Sequence, residues 1–271
     1  AQGAAGLAAM GFPMVAQLAD KCREVCEMMD ASDMRVVKGD RLVPIMEGAS
    51  DEPPVYHMIL QFSKDDKIVV HGKEYSVPLS NRLILFYDKI HKIVPIDQCF
   101  IDYWNEHAED ISSYLASGFD AVIDTAVMEE RLQQLCSHFE TMRKRNPDFI
   151  FYFEGAYYMN PEVKEMIFRR LAPYANIFGT NEEELVAQNE KYGIGTDITD
   201  IESVISGIEA LMERYGVRGV ILHTKDYSMY YGEELPGVDI EKGLTIGNLM
   251  SGTRARIGKY GTQEECRESL S

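Results

Sequence analysis

The sequence lacks a basic excess. Against 44 aspartates and glutamates there are 27 lysines and arginines, a net charge of −17 over 271 residues. Nucleic acids and anionic membrane surfaces both require a basic face, so neither is expected as a partner. A nucleotide ligand stays possible, since a few local cations and a divalent metal neutralise phosphates inside an acidic protein. Long apolar runs are also missing: nothing approaches the roughly 18 consecutive apolar residues of a membrane span. The apolar stretch 4–15 has no basic segment before it and is interrupted at Gly11-Phe12-Pro13, unlike a secretory leader. Cysteines are few, odd in number and scattered (Cys22, Cys26, Cys99, Cys136, Cys266), with no Cys-x-x-Cys and no histidines at zinc spacing. Reduced thiols in a cytoplasmic protein are expected. Solenoid repeats and low-complexity linkers are absent as well.

What is present is ordinary for a globular chain, 45% hydrophobic and 26% charged, long enough for one large domain or a domain with an appendage. The start at Ala1 falls within what looks like a Gly-rich turn and helix, which gives the expectation of an internal piece of a longer protein. Residues 12–18 suggest a strand and 20–30 an amphipathic helix. Between 34 and 95 short β-like runs (35–37, 55–62, 67–71, 83–87) alternate with turn material, which predicts a β-rich insertion. Beyond Pro95 the pattern becomes α/β. Helices are expected over 105–117, 128–145, 161–171, 182–191, 200–215 and 244–257. Strands are expected over 121–124, 149–154, 175–178, 217–223 and 227–231. Strands alternating with crossover helices predict a mostly parallel sheet covered on both faces. Ligands in such sheets sit at the carboxyl ends of the strands.

Two strand ends present acids there. Glu154 closes the run 149–153, and Gly179-Thr180-Asn181-Glu182-Glu183-Glu184 follows the strand 175–178. Carboxylates in that position can hold a hydrated Mg²⁺, which keeps several waters and takes few direct protein ligands. The same Asn-to-Glu spacing also serves as a helix capping box, and the residues alone leave both roles open. Trp104, the one tryptophan, is expected in packing rather than in a site.

These residues carry a family resemblance. Asn181-x-x-Glu184, in the setting Gly179-Thr-Asn-Glu-Glu-Glu-Leu185, resembles the Asn-x-x-Glu motif of ribokinase-like kinases in the form of the ADP-dependent phosphofructokinase/glucokinase family. Tyr152-Phe-Glu154 falls where that family has His-x-Glu. Asn81-Arg82-Leu-Ile-Leu resembles its Asn-Arg-Phe-Ile, and His223-Thr224-Lys-Asp-Tyr227 resembles its His-Thr-Lys-Asp turn. Gly252-Thr-Arg-Ala-Arg-Ile-Gly258 resembles its Gly-Thr-x-Ala-x-x-Gly helix, and Gly3-Ala-Ala-Gly6 its Gly-Gly-Gln-Ala-Gly sugar turn. The six matches run in order along nearly the whole chain.

The resemblance implies a ribokinase-like three-layer α/β/α fold with a small β-rich lid at 34–95, inserted between the start of the large domain (1–33) and its continuation (96–271). It implies phosphoryl transfer from ADP to glucose or fructose 6-phosphate with Mg²⁺ held at Glu154 and Glu184 and Asn181 behind them. Gly3, Gly6 and Arg82 would meet the sugar or its phosphate, and His223 and Thr224 the nucleotide. There are departures: the family's histidine is Tyr152, its glutamine is Ala4, and its catalytic Gly-x-Gly-Asp lies outside these 271 residues, so this piece is expected to be inactive. A degenerate binding protein of the same fold, or a structural domain whose Asn181–Glu184 only caps a helix, are the alternative readings.

Overall fold

A computed structural model describes residues 2–29, 34–86 and 90–270. The expected helix end at Asp30 and strand end at Tyr87 lie outside the described residues. The chain opens with α1 (Gln2–Ala9), β1 (Met14–Val15) and α2 (Arg23–Met29), then β2 (Met34–Lys38) and β3 (Arg41–Pro44). Four strands follow: β4 (His57–Phe62), β5 (Lys67–Val70), β6 (Lys73–Ser76) and β7 (Asn81–Phe86). After α3 (Ile90–Ile93) and α4 (Gln98–Glu106) come β8 (Ser113–Ala116), α5 (Thr125–Arg145), β9 (Ile150–Glu154), α6 (Pro161–Arg170) and β10 (Ile177–Asn181). The last elements are α7 (Glu182–Glu190), α8 (Ile201–Tyr215), β11 (Gly219–His223), β12 (Ser228–Gly232), α9 (Ile240–Ile257) and α10 (Gln263–Glu268).

The main sheet has the order β12-β11-β10-β9-β8. The pairs from β8 to β11 are parallel and β12 is antiparallel to β11. Neighbours in space are neighbours in sequence, so right-handed crossovers put α5 to α8 on one face. That face is aromatic: Phe139 of α5 stacks on Phe151 with centroids 4.0 Å apart, while Phe153, Phe168 and Phe178 pack at 5.1–6.2 Å. A fully buried phenylalanine contributes about 1.5–3 kcal/mol each by removal from water. The opposite face carries Ser228, whose hydroxyl bonds Asn248 of α9. Gly6 of α1 in turn packs close to Met250 of α9. Helices therefore cover both faces, the three-layer, mostly parallel α/β arrangement expected from the sequence.

Capping side chains start the helices that order this sheet. Asp124 accepts from the backbone N–H of Ala126 and Val127 at the head of α5, and Asn160 accepts from Glu162 before Pro161 opens α6. Gly216, at φ +67°, ends α8 in the left-handed region where a Cβ is strained.

Three local expectations need correction. The helix expected over 105–117 is instead α4, over Gln98–Glu106, followed by strand β8 over Ser113–Ala116. Asp97 caps α4 early, and Phe100, Ile101 and Trp104 bury its inner face; Tyr114 and Ala116 then join the core as strand residues. Trp104 is a packing residue, as expected. The run 121–124 is buried at Ala121 and Val122 but pairs with no strand among the described residues, and its last residue, Asp124, serves as the cap of α5. The strand expected over 12–18 contracts to Met14–Val15.

The segment 34–86 is β-rich. Strands β2 and β3 join β1 in a three-stranded sheet that spans the 33/34 point and has its own core of Met34, Val36, Val43 and Ile45. Strands β4 and β7 form one two-stranded ribbon and β5 and β6 another, neither paired to the main sheet.

Candidate active site

Strand periodicity builds the site. In β9, Phe151 and Phe153 point into the aromatic core, so Tyr152 and Glu154 share the other face, two residues apart. The Tyr152 phenol donates to Glu154 Oε2 at 2.6 Å. Strand β10 runs parallel beside it with Gly179 opposite Glu154. Immediately after β10, α7 begins with a capping box: Asn181 Oδ1 accepts the Glu184 N–H at 2.9 Å, and Glu184 Oε2 accepts the Asn181 N–H at 3.3 Å. Thr180 Oγ1 also donates to Oε2, at 3.2 Å. Among the described residues, no hydrogen bond falls on Glu184 Oε1.

Both carboxylates thus stand at one carboxyl edge, each closely packed against a glycine of the neighbouring strand end. A Cβ on Gly179 would lie 2.1 Å from Glu154 Oε2, and one on Gly155 would lie 3.5 Å from Glu184 Oε2. Burial raises the Glu154 carboxyl above its ordinary range, and the Glu184 charge adds to this; the Tyr152 hydrogen bond and His223 work the other way. Burial, followed by the adjacent Glu154, also pushes the Tyr152 phenol well up, so the hydroxyl keeps its proton to donate.

His223 ends β11 with Nε2 4.0 Å from Glu154 Oε1. The sequence assigned it to the same strand edge but did not pair it with Glu154. Thr224 is occupied by its own turn: its hydroxyl donates to Tyr227 O and accepts from the N–H groups of Asp226 and Tyr227. Gly3 and Gly6 belong to helix α1 rather than to a turn. Gly3 is in the first helical turn, where backbone N–H groups have no partner within the helix, whereas Gly6 is buried. Arg82 is exposed on the β4–β7 ribbon, opposite Gln61.

Several contributors were not singled out from the sequence. Gly155 and Gly179 matter through the space that they leave. Tyr158 is buried with no partner for its hydroxyl among the described residues, and burial followed by the charges of Asp120, Glu184 and Glu154 raises its phenol. Lys164 of α6 is lowered by burial and held up in part by Glu184. Gly155, Tyr158 and Lys164 belong to no motif, so only the tertiary arrangement reveals them.

The donor set fits a hard divalent cation held largely through water. It consists of two carboxylates at adjacent strand ends, one of them with an oxygen that takes no hydrogen bond among the described residues, and no group of three or more His, Cys, Asp or Glu gathers for a closed metal cage among them. No helix among them is long and apolar enough to cross a membrane.

A mostly parallel three-layer α/β sheet with acids at its carboxyl edge places the chain among α/β proteins that bind ligands beyond the strand ends. More particularly, residues 4–264 match the ADP-specific phosphofructokinase/glucokinase conserved region, and the chain belongs to that family. Solved structures share the fold. The last common ancestor of ADP-dependent phosphofructokinases from Methanosarcinales matches 99% of the chain with TM-score 0.80 and 18% identity, over 60% of its own length. A phosphofructokinase from Pyrococcus horikoshii OT3 with AMP matches all of it, with TM-score 0.80 and 16% identity, over 64% of its own length. An ADP-dependent kinase in complex with fructose-6-phosphate and ADPβS matches 99%, with TM-score 0.82 and 18% identity, over 63% of its own length. The chain therefore spans about three-fifths of the length of these structures.

Proposed function

We propose that this chain is part of a cytoplasmic, Mg²⁺- and ADP-dependent sugar kinase acting on glucose or fructose 6-phosphate and carries metal, nucleotide and sugar contacts but not the catalytic base. The observation that carries the reading is that Glu154 and Glu184 stand at the same carboxyl edge of the sheet, near enough for the Glu184 charge to act on Glu154, in a chain of this family. The fold shared with a kinase complexed with fructose-6-phosphate and ADPβS supports the substrate pair.

In the proposed reaction a sugar hydroxyl oxygen forms a bond to the β-phosphorus of ADP. The bond from that phosphorus to the bridging oxygen breaks and AMP leaves. The hydroxyl proton passes to a base, for which the family's Gly-x-Gly-Asp aspartate, outside these 271 residues, is the candidate. A bound Mg²⁺ would supply neutralisation of the negative charge on the phosphoryl oxygens. Glu154 and Glu184 would hold it, and the Asn181 cap fixes the first turn of α7 so that Glu184 stays at the carboxyl edge. His223 and Thr224 flank the nucleotide from the end of β11. Helix α1 offers the Gly3 N–H to the sugar, with Gly6 keeping α1 close to α9. Arg82 binds the sugar phosphate, where a guanidinium can engage two oxygens at once. The β-rich segment 34–95 closes over the sugar and excludes water, which would otherwise accept the phosphoryl group.

The test is AMP formation by the full-length protein from ADP and Mg²⁺ with glucose or fructose 6-phosphate. Sugar-dependent AMP release that Glu184→Gln slows by about tenfold or more supports the reading. A folded protein that releases no AMP with any hexose or hexose phosphate overturns it.

A further inference from the structure

A carboxylate at a strand end is free to turn about its side-chain bonds unless something holds one of its oxygens. Glu154 is held. The Tyr152 hydroxyl, two residues back on the same strand face, engages Oε2 at 2.6 Å, and Oε1 is the oxygen that faces His223. A hydrogen bond to an ionised oxygen is among the stronger ones available to a side chain. The bond therefore leaves Oε1, on the His223 side, as the oxygen of Glu154 that Tyr152 does not hold.

The neighbouring strand is shaped to allow it. A Cβ at position 179 would lie 2.0 Å from the Tyr152 hydroxyl oxygen, 2.7 Å from the ring carbon bearing it and 2.1 Å from Glu154 Oε2. All three distances are shorter than real contacts permit. Gly179 lies inside a central strand, where glycine weakens packing, and its φ is not in the left-handed region. Backbone freedom does not explain a glycine here, but the approach of Tyr152 and Glu154 does.

We infer that Tyr152 is a positioning residue for Glu154 and that Gly179 is the matching gap without which it cannot act. The inference rests on the proposed metal role of Glu154. It assigns to the tyrosine the orienting work that an outer partner performs for a metal-binding carboxylate. It also makes residues 152 and 179 a matched pair, so that a side chain at 179 displaces the phenol and the carboxylate together.

The test uses the full-length protein with Mn²⁺ as probe, read by water-proton relaxation, alongside thermal melts. Tyr152→Phe removes only the hydroxyl and is expected to weaken Mn²⁺ binding about tenfold while the melting temperature changes little. Gly179→Ala is expected to weaken it at least as much. The double variant should lose little beyond Gly179→Ala alone, because both changes break one arrangement. In steady-state kinetics kcat falls while KM for the sugar holds. If Tyr152→Phe binds Mn²⁺ like the parent while Glu154→Gln binds it weakly, the positioning role is overturned and the metal reading stands. If Glu154→Gln also leaves Mn²⁺ binding unchanged, both are overturned. Fully additive losses from Tyr152→Phe and Gly179→Ala overturn the pairing of the two positions.

Discussion

His223 Nε2 stands 4.0 Å from Glu154 Oε1 although their strands, β11 and β9, do not touch and β10 lies between them. Glycine at 179 leaves the surface of the middle strand low at this point. The imidazole and the Tyr152 phenol both favour the ionised carboxylate, yet burial outweighs them and the carboxyl stays raised. An acid whose folded pKa is raised stabilises the fold while it is protonated, and that stability is lost as pH rises through the raised value. Glu154→Gln is therefore expected to raise the melting temperature at pH 8, by about 1–3 °C, while it weakens Mn²⁺ binding. Scanning calorimetry at pH 5 and pH 8 checks this: the gain should shrink at the lower pH.

The capping box permits a clean separation of cap from site. Asn181→Ala removes the acceptor for the Glu184 N–H and should cost about 1 kcal/mol of stability. Glu184→Gln keeps an oxygen able to accept the Asn181 N–H, so stability should hold while kcat falls by about tenfold or more. Thermal melts and kcat against Mg²⁺ concentration measure the two effects. An unchanged kcat with a lowered melting temperature would leave Glu184 as a cap alone.

Acid unfolding should come in two windows. His138 is buried on α5 with Nδ1 2.7 Å from Asn105 Oδ1 and no partner for Nε2 among the described residues. Burial lowers its pKa to about 4, against about 6.5 in an unfolded chain. A lowered value means full stability above about pH 6.5 and a loss as pH falls toward 4, with a slope of at most about 1.4 kcal/mol per pH unit. At Glu165 burial acts upward, but hydrogen bonds from Tyr192, Lys191 and Tyr215 prevail and hold the carboxyl at about 2. Its contribution is present above about pH 4.3 and disappears toward 2. Urea midpoints across pH 7 to 3 should show both windows, and His138→Gln should remove only the upper one.

Arg82 separates the two candidate sugars. Arg82→Ala should raise KM for fructose 6-phosphate at least tenfold and leave KM for glucose nearly unchanged, since only the former offers a phosphate to a guanidinium. Equal effects on both sugars, or none, would take Arg82 out of the sugar site.

Much of this was legible in the chain itself. Alternation in Ile150–Glu154 foretells both the buried Phe151 and Phe153 and the outward Glu154, because a strand has a period of two and one face must meet the helices. Asn181 and Glu184 are spaced to meet in the first turn of α7 wherever that helix lies. The element β8 was less legible, since Ser113–Ala116 is too short to show a period and becomes a strand by pairing with β9. The turn at Gly3 and Gly6 came from the family resemblance, whereas both lie in α1, where close packing on α9 favours a small residue at Gly6.

By itself the sequence determined the alternation of strands and crossover helices, the strand-end acids and the caps, since each depends on spacings of two to four residues along the backbone. Only the tertiary structure decided that Tyr152, Glu154, Gly179, Glu184 and His223 meet. They come from different strands and the head of a helix, and their contact depends on the parallel register of β9, β10 and β11. Register is a property of paired backbones and of the side chains that fit between them, so no one segment encodes it.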